Sequence, residues 1–249
     1  RDCLLSRGLG DVYKRQVLAT SRNTALPLAS GMDAQQSIME AQGMSAHSDA
    51  AAQIAATKTA LRREVRAKRR ARGASATAAL ASAVADLIND CLGSLAPPPA
   101  SLAAFCATPL EPPTERYLAS ARARGNRILL PVPEPGGRLS WVADTGVRDR
   151  HPQLQVPIPV GAKVPESEIT TCAAIIAPAA CVTRAGLRLG WGGGFYDRLF
   201  AALPDAVLRI ALVHSDEIVD TLPHEPHDIP VNAIITPSGW FPAAGSISR

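Results

Sequence analysis

Apolar positions in this chain fall first at helical spacing and then at strand spacing. Over residues 57–73, Leu61 and Val65 stand four apart, while Lys58, Arg62 and Arg66 repeat that interval along another face. This pattern predicts a helix with one apolar and one cationic side. Thr57 supplies its N-cap and Gly73 its stop. A second helix is predicted over 76–92, with Leu80, Val84, Leu87, Ile88 and Cys91 turned inward, before prolines at 97–99 break the chain. Short apolar runs then alternate with amphipathic stretches. They predict a buried strand over 102–107, a helix over 114–124 capped by Thr114 and ended by Gly125, and a strand over 127–132. A hairpin partner over 138–143 follows Gly136 and Gly137. Residues 144–171 read mostly as loop; a strand over 173–177, a helix over 195–203 and strands over 207–213 and 233–236 complete the series. Strands alternating with helices predict an α/β fold with a doubly wound, mainly parallel sheet and helices on both faces. No internal repeat interrupts it.

The first 56 residues do not share this patterning. The segment RDCLLSRGLGDVYKRQ (1–16) has no helical or strand period and resembles translated adapter sequence, so it is set aside from the fold. Residues 17–56 read as a disordered leader, with Met32, Met39 and Met44 as candidate starts. Arg and Ser there suit a transit peptide, but Asp33, Glu40 and Asp49 interrupt that pattern. The folded domain is expected over 57–243, followed by a short tail over 244–249.

Composition narrows the function classes. Of 249 residues, 47% are hydrophobic and 19% charged, which supports a packed core. No run of about 18 apolar residues occurs, so no membrane span is expected. Cys3, Cys91, Cys106, Cys172 and Cys181 lack CxxC spacing, which argues against a disulfide framework or a structural zinc site and favours a reducing compartment. The net charge of +4 is unevenly placed: residues 58–72 carry +7 and residues 1–16 carry +2, leaving −5 for the rest. One basic helix on a mildly acidic body suits a local anion site better than a nucleic-acid surface.

Four motifs carry candidate chemistry. In RLGWGGGFYDRLF (188–200), Gly190, Gly192, Gly193 and Gly194 leave backbone N–H groups unshielded at a helix start, a ready phosphate site. Arg188 adds a cation, and Asp197 in the first turn suits a divalent metal. The motif is neither GxxxxGK[ST] nor GxGxxG, and a tight strand-to-helix turn is the plain alternative. In KTALRREVRAKRR (58–70), a solvated basic face or an RNA or membrane contact competes with a specific anion site; the helix lacks aromatics for base stacking and the apolar face of an interfacial helix. In HEPHDIPVNAIITP (224–237), His224, Glu225, His227 and Asp228 do not have the spacing of a helical zinc site, and Asp228 reaching a shared magnesium site is the better reading. Glu111, just past a predicted strand end, sits where open α/β sheets bind ligands, although an exposed loop acid has the same appearance.

In this order the pieces resemble the 5-formyltetrahydrofolate cyclo-ligase family over residues 58–240: KxxLR, a Glu three before a Thr, G-x-RLG-x-GGG-[FY]-YDR, HDxPV and a TP-containing end. The resemblance implies a fold similar to the sugar-phosphate isomerase and coenzyme A transferase group. It implies ATP contacts from Lys58 and Arg62, and a phosphate wrap from Arg188, Leu189, Gly190, Trp191, Gly192, Gly193, Gly194, Phe195 and Tyr196. Mg²⁺ falls to Asp197 and Asp228, and reduced folate to Cys106, Glu111 and Tyr196. Lys58, Arg62 and Arg188 become the groups that neutralise a phosphoryl group in transfer. The implied protein is a cytoplasmic monomer acting on reduced folate and ATP, with neither nucleic acid nor membrane as partner. Thr183 and Asn232 stand where the family often has Asp, and Phe195 where it often has Tyr. These departures leave open a weakened relative that binds nucleotide or folate without turnover. A sugar-phosphate or coenzyme A enzyme and an RNA-binding module on residues 58–72 are the more distant alternatives.

Overall fold

A computed structural model describes residues 31–96, 101–225 and 228–244. The chain forms two units, Arg1–Ala50 and Ala51–Arg249. In the first, residues 31–50 are helical; residues 1–30 and most of the expected tail lie outside the described residues, as does His227. Helix α1 (Gly31–Ala78) begins well before Thr57, so the expected end of a disordered leader falls inside a helix. Gly73 breaks it with φ 78° and ψ 162°. A side chain at Gly73 would meet nothing within 4 Å, so the backbone angle and not the space makes this position glycine.

The remaining elements follow in order: α2 (Ala81–Leu95), β1 (Leu102–Ala103), α3 (Glu115–Ala123), β2 (Ile128–Glu134), β3 (Arg138–Ala143), β4 (Arg148–Arg150), β5 (Pro157–Pro159) and β6 (Lys163–Val164). Then come β7 (Ala174–Pro178), β8 (Cys181–Thr183), β9 (Arg188–Leu189), α4 (Phe195–Ala202), β10 (Leu208–Leu212), β11 (Ile218–Val219), β12 (Ala233–Thr236) and β13 (Gly239–Pro242).

The main sheet runs β13-β12-β10-β7-β1-β2-β3-β6. Its five inner strands, β12, β10, β7, β1 and β2, are parallel. Antiparallel β13 closes one edge, and β3 and β6 extend the other. Alternate residues face opposite layers, as the pleat requires. Leu130, Ile176, Ile210 and Ile235 pack in one core with Val84 and Ile88 of α2 and Leu118 of α3. Ala103, Leu129, Ile175, Ala211 and Ile234 pack in the other with Phe200 of α4. The sheet is therefore covered on both faces, as the strand–helix alternation predicts. No single helix among the described residues is long and apolar enough to cross a membrane.

Chain order points to a candidate ligand crevice. The parallel strands run β2-β1-β7-β10-β12, so the connections leaving the adjacent strands β1 and β7 run in opposite directions, to β2 and to β10. In such sheets the crevice opens at the carboxyl ends beside that reversal. The loops leaving β1, β7 and β10 meet there.

The structure differs from the sequence expectations at several elements. The strand expected over 102–107 pairs as β1 for two residues only. Beyond it the Thr114 hydroxyl donates to the Phe105 carbonyl at 2.8 Å and accepts from the Ala107 amide at 3.2 Å, replacing sheet partners. Thr114 is thus a loop clamp and makes no side-chain cap on α3. Helix α2 starts at Ala81, five residues later than position 76, because a helical turn over 74–78 still belongs to α1 after the Gly73 break. The expected loop over 144–171 contains the β4–β5 ribbon, β6 and a 3₁₀ turn at Glu166–Thr171. A small sheet, β11-β8-β9, and the edge strand β13 are further elements without a clear period of their own.

Candidate functional site

The glycine-rich turn after β9 enters α4 through two left-handed residues, Gly192 (φ 99°) and Gly194 (φ 65°), the latter being the N-cap. No side chain caps this helix, so its first-turn amides have neither an intrahelical partner nor a side-chain acceptor. Cations hold the turn by its carbonyls: Arg62 Nε donates to Gly190 O at 2.8 Å, and Arg198 Nη1 to Gly193 O at 3.0 Å. With carbonyls engaged by arginines, the loop presents amides and positive charge together, the combination that attracts phosphate.

The cationic face of α1 supplies the opposite side. Lys58 Nζ lies 3.0 Å from both Glu225 Oε2 and Asp228 Oδ2. Burial alone lowers its pKa, but hydrogen bonds and charges from Asp228 and Glu225 outweigh this and raise it above the usual lysine range. Arg62 has no carboxylate within ion-pair distance among the described residues; burial and the neighbouring Arg66 charge pull its pKa down against the opposing influence of Asp197. An anion placed there would relieve that excess positive charge.

Arg188 sits deeper, with its side chain 3% exposed, ion-paired to Asp197 and lying over the rings of Phe200 and Tyr196 at 5.3 and 5.7 Å. Burial lowers its pKa while Asp197, Tyr196 and Asp228 oppose the shift. Among the described residues its Nε has no hydrogen-bond partner, and neither does the buried hydroxyl of Tyr196. Burial pushes the Tyr196 pKa far up despite Arg188, so it remains a neutral phenol.

On the other side, a cavity of about 680 Å³ is lined by Cys106, Thr108, Glu111, Thr114, Arg148 and Arg150, among others. Glu111 is buried, accepts from the Thr108 amide at 2.8 Å, and lies 3.8 Å from Arg69. It is therefore a held carboxylate facing a cavity and not an exposed loop acid. The Cys106 thiol is pushed up to about 11, chiefly by burial, so it is an uncharged wall and no nucleophile near neutral pH.

The structure thus brings Lys58 to Asp228, Arg62 to the glycine turn, Arg188 to Asp197 and Tyr196, and Cys106 to Glu111. Asp197 and Asp228 both act on Arg188 electrostatically. Two carboxylates beside a phosphate site suit Mg²⁺, which commonly takes one or two carboxylates and completes its shell with phosphate oxygens and water. The Trp191 ring lies 4.8 Å from the Arg69 guanidinium and 5.2 Å from that of Arg66.

Arg69, Glu217 and His214 are site-building residues that the sequence reading passes over. Arg69 is 3% exposed, Glu217 and His214 each 1%. A signal existed: Lys58, Arg62, Val65 and Arg69 follow the i, i+4, i+7, i+11 pattern of one buried helix face. The four-residue series through exposed Arg66 concealed it. Conversely, the two departures from the family pattern serve backbone. Thr183 Oγ1 accepts from the Leu187 amide at 3.2 Å within the β8–β9 turn. Asn232 Oδ1 accepts from the Arg209 amide at 2.7 Å where β10 and β12 begin, at the opposite end of those strands from the crevice.

Comparison with known proteins identifies the family. The profile of the 5-formyltetrahydrofolate cyclo-ligase family matches residues 54–237, well over half of the chain. A 5-formyltetrahydrofolate cyclo-ligase of Mycolicibacterium smegmatis is 32% identical over 141 residues, 51% of this chain and 68% of that protein. The Escherichia coli K12 enzyme of the same name is 28% identical over 151 residues, covering 55% and 78% respectively. The solved structure of Aquifex aeolicus 5,10-methenyltetrahydrofolate synthetase superposes with a TM-score of 0.61 at 22% identity, covering 78% of this chain and 96% of that one.

Proposed function

Because the chain belongs to the 5-formyltetrahydrofolate cyclo-ligase family, we propose that the crevice closes the methenyl ring of a reduced folate at the expense of ATP. The protein converts 5-formyltetrahydrofolate and ATP to 5,10-methenyltetrahydrofolate, ADP and phosphate. The formyl oxygen on N5 takes the γ-phosphoryl group, N10 attacks the activated carbon and loses its proton, and the oxygen departs with phosphate. This chemistry asks for alignment and charge neutralisation, not for a protein nucleophile. The observation that carries the reading is the glycine turn that opens α4, bound through its Gly190 carbonyl by Arg62 and followed in its first helical turn by Asp197, which pairs with the buried Arg188.

The residues divide the work. Gly192, Gly193 and Gly194, together with Leu189, Gly190, Trp191, Phe195 and Tyr196, form the turn whose amides orient the phosphates. Lys58 and Arg62 hold the nucleotide from α1, and Arg188 stabilises charge on the phosphoryl group in flight. Asp197 and Asp228 would hold Mg²⁺, which when bound would offset phosphate charge. Glu111 and Cys106, which line the cavity, orient the folate, and the neutral Tyr196 phenol, buried outside that lining, has a hydrogen bond to offer it. The three-layer arrangement also supports kinship with the sugar-phosphate isomerase and coenzyme A transferase group. Thr183 and Asn232 bond to backbone, which gives the weakened-relative reading no support.

The test is near-ultraviolet absorbance of the purified chain mixed with 5-formyltetrahydrofolate. A methenyl band that grows only when Mg²⁺ and ATP are both present is the expected result. No band from folded protein that binds ATP would overturn the proposal.

A further inference from the structure

We infer that Arg69 is a positioning residue that ties the folate side of the site to its nucleotide side, an inference that rests on the function proposed above. The guanidinium makes a two-pronged contact with Glu217, Nε to Oε1 at 2.7 Å and Nη2 to Oε2 at 2.8 Å. Nη2 also donates to the Ala179 carbonyl, just beyond β7, at 2.9 Å. Nη1 points toward Glu111, 3.8 Å from Oε1, and the plane of the group lies 4.8 Å from the centre of the Trp191 ring. One rigid side chain from α1 therefore touches the loops that follow β1, β7, β9 and β10. It contacts Glu111, which faces the cavity, and Trp191, which belongs to the glycine turn.

The anchor beneath it is itself fixed. The His214 amide donates to Glu217 Oε2 at 2.8 Å, and the His214 ring accepts from the Glu217 amide. The other ring nitrogen, Nε2, lies 3.1 Å from the Leu110 carbonyl, so it carries the proton and donates. Leu110 precedes Glu111, and the loop is thus held by His214 through its backbone and by Arg69 through its carboxylate. Lysine in place of Arg69 would keep one charge but lose both the fork and the flat face against Trp191. A displacement of Glu111 by folate then reaches Trp191 through a single planar group, and a displacement of the glycine turn by nucleotide travels the other way.

The consequence is a coupling between the two ligands, which binding measurements read directly. Calorimetry on the full chain would give the affinity for 5-formyltetrahydrofolate with and without a saturating, non-hydrolysable ATP analogue and Mg²⁺. The expected result is that the analogue tightens folate binding about tenfold in the parent, and about twofold or less in Arg69→Lys and Trp191→Leu. Arg70→Ala, an exposed change on the same helix, retains the parental ratio. A merely structural loss weakens both ligands without changing this ratio. A folded Arg69→Lys that keeps the parental ratio, or a parent that binds both ligands independently, would overturn the inference. If Arg69→Lys does not fold, Trp191→Leu decides the matter, since it removes the stack and leaves every buried ion pair in place. A parent that binds neither ligand would overturn the function proposed above and the coupling with it.

Discussion

Residues 104–114 and 190–194 each lead from a strand end into a helix, yet they are built from opposite materials. The first segment contains Pro109, Pro112 and Pro113 and no glycine; the second is four-fifths glycine. In the first, side chains close the backbone: Thr114 takes up Phe105 O and Ala107 N, Glu111 takes the Thr108 amide, and His214 takes Leu110 O. Such a loop has few backbone groups left for a ligand, so under the proposed function its recognition falls to side chains facing the cavity. In the second, arginines bind carbonyls while first-turn amides remain open. Under the proposed function that loop recognises through backbone, which suits phosphate because phosphate has no shape beyond its charge and oxygens. The difference predicts that each wall fails in its own kinetic parameter.

The largest effect is expected where the phosphoryl group is neutralised. Arg188→Met removes a buried guanidinium and leaves Asp197 unpaired. Turnover by methenyl absorbance should fall by about 10²–10³-fold, as when an oriented transition-state donor is removed. A folded variant within tenfold of the parent would remove Arg188 from the phosphate wall.

Next in size come the changes that separate the walls. Lys58→Ala should raise KM for ATP by about tenfold or more, the cost of one charge-assisted contact, and leave KM for folate within about twofold. Glu111→Gln should do the reverse. Its amide oxygen still accepts from Thr108, so the loop keeps its shape while the charge facing the cavity is lost. If both variants shift both Michaelis constants equally, the division between a backbone wall and a side-chain wall is wrong.

How much of this is legible in the sequence follows from the same contrast. The glycine turn is legible because glycine is punctuation: a left-handed N-cap at Gly194 leaves a mark that needs no partner to be read. The strands over 138–143 and 233–236 and the helix starting at Phe195 are legible through period and flanking turns. The pocket wall is not, because Glu111 acquires its role from Arg69, and Arg69 from Glu217, 148 residues away. Short β1 is hidden for a related reason: a hydroxyl nine residues away from Phe105 replaces its sheet partner. Local pattern carries local geometry, and it carries long-range ion pairs only as a faint helical spacing.

A smaller effect concerns pH. Burial lowers the His214 pKa below its ordinary value of 6.5, with the Leu110 carbonyl and Glu217 opposing, and Arg72 and Arg69 adding to the decrease. The unfolded chain therefore binds a proton at this histidine before the folded chain does. Stability from this group is fully present above the unfolded pKa and is lost as pH falls through it toward the lower folded value. Denaturant midpoints should decline as pH drops from about 7 to about 5.5, and His214→Gln should flatten that decline. An equal decline in the variant would assign it to other groups.

The smallest expected effect probes a position outside both walls. Asn232 lies where the family often has Asp, so restoring the acid, Asn232→Asp, would revive activity if this residue served metal or substrate. Its Oδ1 instead accepts from the Arg209 amide at 2.7 Å, and its own amide donates to the Arg209 carbonyl at 2.7 Å. This bracket fixes the register of β10 against β12 at their amino ends, whereas the ligand crevice opens at their carboxyl ends. A carboxylate oxygen accepts the same amide as well as a carboxamide oxygen does, and the new charge lies at the opposite end of these strands from the proposed phosphate site. Asn232→Asp should therefore leave kcat/KM for both substrates within about twofold, and the denaturant midpoint shift should correspond to about 1 kcal/mol or less. A tenfold rise in activity would show that the amino ends of these strands communicate with the crevice, and the assignment of Asn232 to strand register would fall.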